Sequence, residues 1–203
     1  MSGIDYIEFD NPQQNFLAGL GWEAKPVKKG SFFSESHDLD LCCCMMSKEF
    51  NLIDFISPTD LKKKDYQFQI LHTGDHKTGN SPGEDEELHF NLRKLAPEIF
   101  YIVFIVRIKG DTSFQDIEKS YCIYMDGGSY RSFLKTEINE PSQNEGGQKI
   151  QYVSAVLKRW TGKSLDGDFW SLNPIEKFIP ATENKIESDF LEIKPIIEGI
   201  YGQ

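Results

Sequence analysis

The chain has 203 residues, of which 39% are hydrophobic, 13% aromatic and 27% charged, a composition typical of one soluble domain with a sizeable core. Its 32 acidic and 22 basic residues give a formal charge of −10, which argues against nucleic acid as a partner because phosphate binding needs clustered Lys and Arg. No apolar run has the length of a membrane span, and the first residues lack the pattern of a secretory signal. We therefore expect a cytoplasmic protein.

Short apolar segments separated by turn residues predict a mainly β protein, an antiparallel β-sandwich of two sheets with a few short helices. In chain order, the predicted strands are Leu17–Gly21, Leu39–Met46, Phe50–Ile56, Gln67–His72, Leu88–Leu92, Tyr101–Ile108, Tyr121–Tyr124, Tyr130–Thr136, Ile150–Arg159 and Phe169–Leu172. The clearest is Tyr101–Ile108, an almost continuous β-branched and aromatic run that we expect to be buried on both faces. Asp126-Gly127-Gly128 separates two of the strands with residues typical of a hairpin turn, which predicts antiparallel neighbours.

Two segments have helical composition. Ser113 can cap a short helix that extends to Lys119. Residues from Ser188 to Tyr201 are also helical in composition, but Pro195 divides them, so we predict short broken helices that dock on the sheet. These patterns predict a sandwich domain over residues 1–180 and a C-terminal tail over residues 181–203.

The four cysteines include three consecutive residues, Cys42, Cys43 and Cys44. Neighbouring residues of a strand point to opposite faces, so this triplet cannot chelate one metal as a spaced pair can. We interpret these cysteines as small buried hydrophobes.

The segment from His72 to Glu87 combines bending glycines with five acidic residues, opposed within it by Lys77. Two carboxylates about 4 Å apart repel each other by roughly 4 kcal/mol at an effective dielectric of 20, so a compact loop of this kind favours a bound cation. Calcium fits best, because it takes six to eight oxygen ligands in flexible geometry. The spacing is not that of an EF-hand, and a solvated acidic turn is the alternative.

A second acidic pair, Asp38 and Asp40, lies at the start of a predicted strand. Residues two apart on a strand share a face and lie about 7 Å apart along it. The pair can therefore supply a second part of a cation site, although two carboxylates that point into water would show the same spacing.

The histidines near the acidic loop raise the hypothesis of a metal-dependent hydrolase that uses His72 or His76 beside the cation. The sequence has no nucleophile elbow and no H-E-x-x-H spacing to accompany them. We therefore do not expect an enzyme.

Four motifs follow one another along the chain: Gly19-Leu20-Gly21-Trp22-Glu23, Asp38-Leu39-Asp40-Leu41, the loop from His72-Thr73-Gly74-Asp75 to Glu86, and the strand region from Leu95 to Ile108. In this order they resemble the motifs of the TerD family, known as tellurium-resistance or bacterial stress proteins. The resemblance covers roughly Gly19 to Tyr124 and is looser to about Ile179.

The resemblance implies a β-sandwich whose loops hold Ca²⁺ and a non-catalytic binding module in tellurite or general stress resistance. It also implies partners, either other proteins of a stress-response complex or a membrane surface. The residues that the resemblance places in the family's calcium-binding segments are Asp38, Asp40, Gly74, Asp75, His76, Thr78, Gly79, Glu84, Asp85 and Glu86, although at His76 and Glu84 the chain differs from the family's usual residue.

The chain departs from the family pattern inside the loop, where His76 replaces the usual asparagine and Ser81-Pro82 replaces a glycine-acid pair. An imidazole is a poorer calcium ligand than an amide oxygen, and proline stiffens the loop, so we expect reduced affinity or fewer sites. The alternative is a degenerate TerD-like domain without metal that serves as a protein-interaction scaffold.

Overall fold

A computed structural model describes residues 7–8, 15–24, 37–59, 69–77, 79, 83–110, 113–139, 149–161, 168–182 and 186–202. These residues form a sandwich of two antiparallel sheets and one α-helix, so the predicted fold class is confirmed. The strands are β1 (Ile7–Glu8), β2 (Asn15–Ala24), β3 (Leu39–Met46), β4 (Leu52–Ile56), β5 (Ile70–His72), β6 (Glu86–Asn91), β7 (Tyr101–Ile108), β8 (Ile117–Asp126), β9 (Ser132–Glu137), β10 (Ile150–Trp160) and β11 (Phe169–Pro180), and the helix is α1 (Ile186–Tyr201).

One sheet has six strands in the order β1-β11-β10-β7-β3-β4, and the other has five in the order β5-β6-β2-β8-β9. β7 lies inside the six-stranded sheet between β10 and β3, and its first six residues are buried, as the sequence predicted. β3 and β7 pair with Asp40 opposite Arg107. The hairpin predicted at Asp126 is also confirmed, because β8 and β9 are antiparallel neighbours.

Two apolar layers bury the six-stranded sheet. Its inner face packs against the five-stranded sheet through residues such as Leu41 and Phe104, with Phe16 stacked on the Phe104 ring at a centroid distance of 6.0 Å. Its outer face carries Cys42 and Cys44 in a second cluster that includes two helix residues. All four cysteines are free and buried, which confirms their interpretation as small hydrophobes.

The C-terminal segment differs from the prediction of short broken helices. It forms one continuous helix, α1, with Pro195 inside it. Ile193 and Ile197 lie on either side of this proline and are fully buried in the outer cluster. A proline inside a helix removes one backbone hydrogen bond, and burial of these side chains offsets that loss. The proposed boundary near residue 180 stays a prediction.

The helix predicted over Ser113 to Lys119 is reduced to a single 3-10 turn, Phe114–Asp116. Ser113 caps it as predicted, in a reciprocal capping box with Asp116. From Ile117 onward the chain pairs with β2 as strand β8, because cross-strand burial overrides weak local helix preference.

No helix formed by the described residues combines the length and the apolar character needed to cross a bilayer.

Candidate metal site

Three of the predicted site carboxylates converge at one end of the six-stranded sheet. Asp38 and Asp40 come from the start of β3, and Asp75 comes from the loop that follows β5. One oxygen atom from each of the three lies within 4.8 Å of the others. We call Asp38, Asp40 and Asp75 the aspartate cluster. The two acidic segments singled out in the sequence therefore meet in space.

The donor set of the aspartate cluster suits a hard cation. Calcium–oxygen distances of 2.3–2.6 Å place two ligands of one ion at most about 5 Å apart, a limit that this cluster meets. Asp38 Oδ1 is buried and has no hydrogen-bond partner among the described residues, so it has a lone pair available for a ligand. Remaining ligands would come from backbone carbonyls and water.

Lys109, which was not among the predicted site residues, lies among these carboxylates. Its Nζ is 3.3 Å from Asp38 Oδ2, 2.9 Å from Asp40 Oδ1 and 3.2 Å from Asp75 Oδ1. The lysine follows directly after β7, and its backbone N–H donates to the Asp38 carbonyl at 2.9 Å. Strand pairing between β3 and β7 thus places an ammonium group where a cation would bind.

Burial and charge oppose each other in the aspartate cluster. Burial is the main cause that raises the pKa of Asp40, and the neighbouring Asp38 and Asp75 add to it, while Lys109 lowers it. For Lys109, burial alone would lower the pKa, but the hydrogen bond and charge of Asp40, together with Asp38 and Asp75, raise it above the ordinary value. The ammonium group therefore stays charged at neutral pH.

Glu86, another predicted site residue, has a different position. Its carboxyl is fully buried, with Oε2 accepting from Leu41 N–H at 2.7 Å and Oε1 accepting from His76 N–H at 3.2 Å. Burial is the largest effect and raises the pKa of Glu86 to about 8, against the opposing effect of these two hydrogen bonds. Glu86 links the start of β6 to β3 and to the loop that carries Asp75.

His72 also links the loop to β3. Its Nδ1 accepts from Gly74 N–H at 3.0 Å, which places the ring proton on Nε2, and Nε2 donates to the Leu41 carbonyl at 2.8 Å. Burial lowers the pKa of His72, which favours this neutral form. Both ring nitrogens are committed to the backbone, so His72 positions the loop. His76 is exposed, and its backbone N–H contacts Glu86.

Asp85 and Gly79 lie against β2. Asp85 Oδ2 accepts from the Trp22 backbone N–H at 3.0 Å, and Trp22 Nε1 donates to the His37 carbonyl at 2.9 Å. Gly79 has a φ of +56°, and a Cβ atom added there would overlap the Trp22 indole. The tryptophan of the first sequence motif therefore supports the acidic loop.

The predicted site residues thus separate into two regions. Gly79 and Asp85 line a cleft of about 800 Å³ beside Trp22, Glu23 and Tyr121. Glu84 packs nearby, against the position where Gly19 has no side chain. Asp38, Asp40 and Asp75 form the aspartate cluster, with the turn at Gly74 (φ +115°) and with His76 and Glu86 beside it. Thr78 lies outside the described residues, as do Ser81 and Pro82.

A second ionic link lies next to the aspartate cluster on the outer face of the six-stranded sheet. Arg107 Nη2 contacts Asp189 Oδ2 at 2.9 Å and donates to the Thr182 carbonyl at 3.3 Å. Asp189 is 1% exposed, and its Oδ1 accepts from both the backbone N–H and the hydroxyl of Thr182 at 2.9 Å. These contacts fix the start of α1 beside the cluster.

Residues 6–160, about three quarters of the chain, match the family model of the TerD domain. The chain belongs to the TerD family. Among curated TerD relatives, tellurium resistance protein TerZ of Serratia marcescens is 35% identical over 114 residues, which cover 53% of this chain and 57% of TerZ. Stress response protein SCP2 of Bacillus subtilis (strain 168) is 29% identical over 154 residues, which cover 68% of this chain and 74% of that protein.

The fold of the TerD relatives agrees. The crystal structure of a homologue of telluride resistance protein (TerD) from Streptomyces coelicolor A3(2) matches with a TM-score of 0.61 at 19% identity, covering 84% of this chain and 93% of that chain. The TerD family model ends at residue 160, so β11 and α1 lie beyond the matched residues.

Proposed function

We propose that this chain is a non-catalytic calcium-binding module of the TerD type that acts in resistance to tellurium compounds or in a general stress response. The observation that carries the proposal is the convergence of Asp38, Asp40 and Asp75 from two separate segments. Oxygen donors alone at this spacing suit calcium, whereas magnesium would require a stricter octahedron. The names of TerZ and SCP2 support the assignment to resistance and stress response.

The surroundings of the cluster support binding in preference to catalysis. His72, the residue considered as a general base, uses both ring nitrogens for backbone hydrogen bonds. Calcium would bring positive charge to one end of a chain with a formal charge of −10. We propose that this local change controls association with other proteins of a stress-response complex or with a membrane surface, and that the protein acts in the cytoplasm.

Calorimetric titration and thermal denaturation test the proposal. After treatment with EDTA and its removal, wild type should release or absorb heat on addition of CaCl₂, and MgCl₂ should give a weaker response. Calcium at about 100 times its dissociation constant should stabilise the fold by roughly 2.7 kcal/mol. Asp75→Asn should weaken calcium binding, because it removes one charged ligand.

Glu192→Gln is the matched control for Asp75→Asn, since it removes one carboxylate charge from the exposed surface of α1. It should bind calcium as wild type does. A wild-type melt that millimolar calcium leaves unchanged, with no heat of binding, would remove calcium from the proposal.

One observation favours a second function, a metal-free interaction domain. Lys109 Nζ lies within 3.3 Å of a carboxylate oxygen from each member of the aspartate cluster, so the cluster has a cationic partner without metal. A chain that binds no calcium and is insensitive to EDTA would support this alternative.

A further inference from the structure

We infer that Lys109 is an internal counter-cation which holds the aspartate cluster together in the metal-free protein and is displaced when calcium binds. This inference rests on the proposed calcium function and adds a specific competitor to it. An ammonium group has three N–H donors, and Lys109 directs its Nζ at three separate carboxylates at 2.9–3.3 Å. The lysine thus occupies the position that a shared metal ion would take.

The strand register fixes this arrangement. Asp40 is opposite Arg107 in the β3–β7 ladder, and the Lys109 backbone N–H bonds to the Asp38 carbonyl at 2.9 Å. Arg107, the basic residue two positions before Lys109 and within β7, is paired with Asp189 at 2.9 Å. The backbone therefore holds Lys109 beside the cluster.

Charge explains why a divalent ion can replace the lysine. With all three carboxylates ionised, the cluster carries −3, which the ammonium reduces to −2 and a calcium ion reduces to −1. A monovalent ion would replace one positive charge with another and gain nothing from the exchange. The competition requires calcium to displace an existing partner, so its affinity is lower than the three carboxylates alone would give.

The structure also provides room for the displaced side chain. The Lys109 side chain is 34% exposed, and it borders a cleft of about 430 Å³ that continues past Gly110 toward Thr182. Rotation of its four-carbon stem can carry the ammonium into this cleft without movement of β7. Exchange therefore requires only a change of side-chain rotamer next to the cluster.

Calcium titration of Lys109→Met and wild type tests the inference, with thermal melts in EDTA and in CaCl₂. Lys109→Met should bind calcium at least tenfold more tightly than wild type. It should melt below wild type in EDTA, because the carboxylates lose their counter-cation, and calcium should restore most of the loss. Lys194→Met is the matched control, since Lys194 is 32% exposed and paired with Glu198 at 3.6 Å. It should bind calcium as wild type does.

Lys109→Gln provides a second variant, in case Lys109→Met does not fold in EDTA, because its amide retains hydrogen-bond donors without the charge. Equal calcium affinity in wild type and both Lys109 variants would overturn the inference and leave the proposed calcium function intact. Calcium binding by the variants but not by wild type would support the counter-cation role of Lys109, overturn its displacement by calcium, and assign the metal-free function to the natural chain. No binding by any of them would overturn both proposals.

Discussion

The buried carboxyl of Glu86 makes the stability of the fold depend on pH. Its pKa is about 8 in the folded protein and near 4.5 when it is exposed in the unfolded chain. Between these two values the folded state therefore binds more protons than the unfolded state. The contribution of Glu86 to the free energy of unfolding is fully present below pH 4.5 and is lost as the pH rises toward 8. Glu86→Gln replaces the carboxyl with an amide of similar shape that does not titrate.

The magnitude follows from the size of the pKa difference. Each unit of difference corresponds to about 1.4 kcal/mol, so the free energy of unfolding should fall by about 3 kcal/mol more in wild type than in Glu86→Gln between pH 5 and pH 8. Asp40 has a raised pKa and contributes in the same direction, while the lowered pKa of His72 acts oppositely below about pH 6.5. Both residues remain in the variant, so the difference isolates Glu86.

Urea denaturation in EDTA, followed by tryptophan fluorescence at intervals of half a pH unit, measures this difference. Glu192→Gln, which neutralises an exposed carboxylate of α1, should show the wild-type pH dependence. Parallel curves for wild type and Glu86→Gln would refute the reasoning, since they would show that Glu86 titrates alike in the folded and unfolded states.

Three further substitutions test contacts around the site by thermal denaturation. Gly79→Ala should destabilise by at least about 1–2 kcal/mol and shift the fluorescence of Trp22, because φ is +56° and the new methyl group overlaps the indole. Asp189→Ala should cost about 3–5 kcal/mol and loosen α1, since it leaves Arg107 without its buried partner. His72→Leu should cost roughly 2–4 kcal/mol by leaving two backbone groups unpaired.

Each of these substitutions has a control in the same chain. Gly83→Ala should be nearly neutral, because no atom lies within 4 Å of the added Cβ position. Glu198→Ala removes an exposed carboxylate and should change the melting temperature little. His89→Leu removes a partly exposed histidine on the same sheet. Losses of equal size in a substitution and its control would show that the named contact is not responsible.

The strands show how much of the fold could be predicted. β3 and β7 have the predicted bounds because each is an apolar run with a sharp end, interrupted by a single charged residue, Asp40 in β3 and Arg107 in β7. β11 was predicted to end at Leu172 but extends to Pro180. Asn173-Pro174 interrupts its apolar pattern, yet β10 continues to pair with it on both sides of a bulge. Pairing across the sheet, which the local sequence does not contain, decided that length.

In the candidate site, too, some features follow from the local sequence and others depend on strand pairing. The acidic composition of two segments predicted that the Asp38–Asp40 pair and Asp75 meet, and they do. The position of Lys109 between them depends on the register of β3 against β7, which the sequence does not state. A signal was present, since Arg107 and Lys109 are two apart at the end of a buried strand and match the spacing of the two aspartates. The roles of Asp38, Asp40 and Asp75 as metal ligands stay predictions.

The alternation of buried and partly exposed positions along β6 also distinguishes Glu86 from the other acidic residues of the loop. In β6, Glu86 lies on the same face of the strand as Leu88 and Phe90, which both face the core. The period of a strand therefore predicts that its carboxyl faces the interior. Its role as a metal ligand stays a prediction.

Burial of the cysteines determines how readily oxidants react with their thiols. The chain has four cysteines, all fully buried, and burial is the largest effect that raises the pKa of each thiol above its ordinary value. Thiolates on an open surface are the species that oxidants consume first. Oxidation of these four thiols therefore requires the sandwich to open, so its rate depends on the opening equilibrium. Any change that makes opening of the sandwich rarer therefore also protects the thiols from oxidation, which suits a protein of a stress-response family.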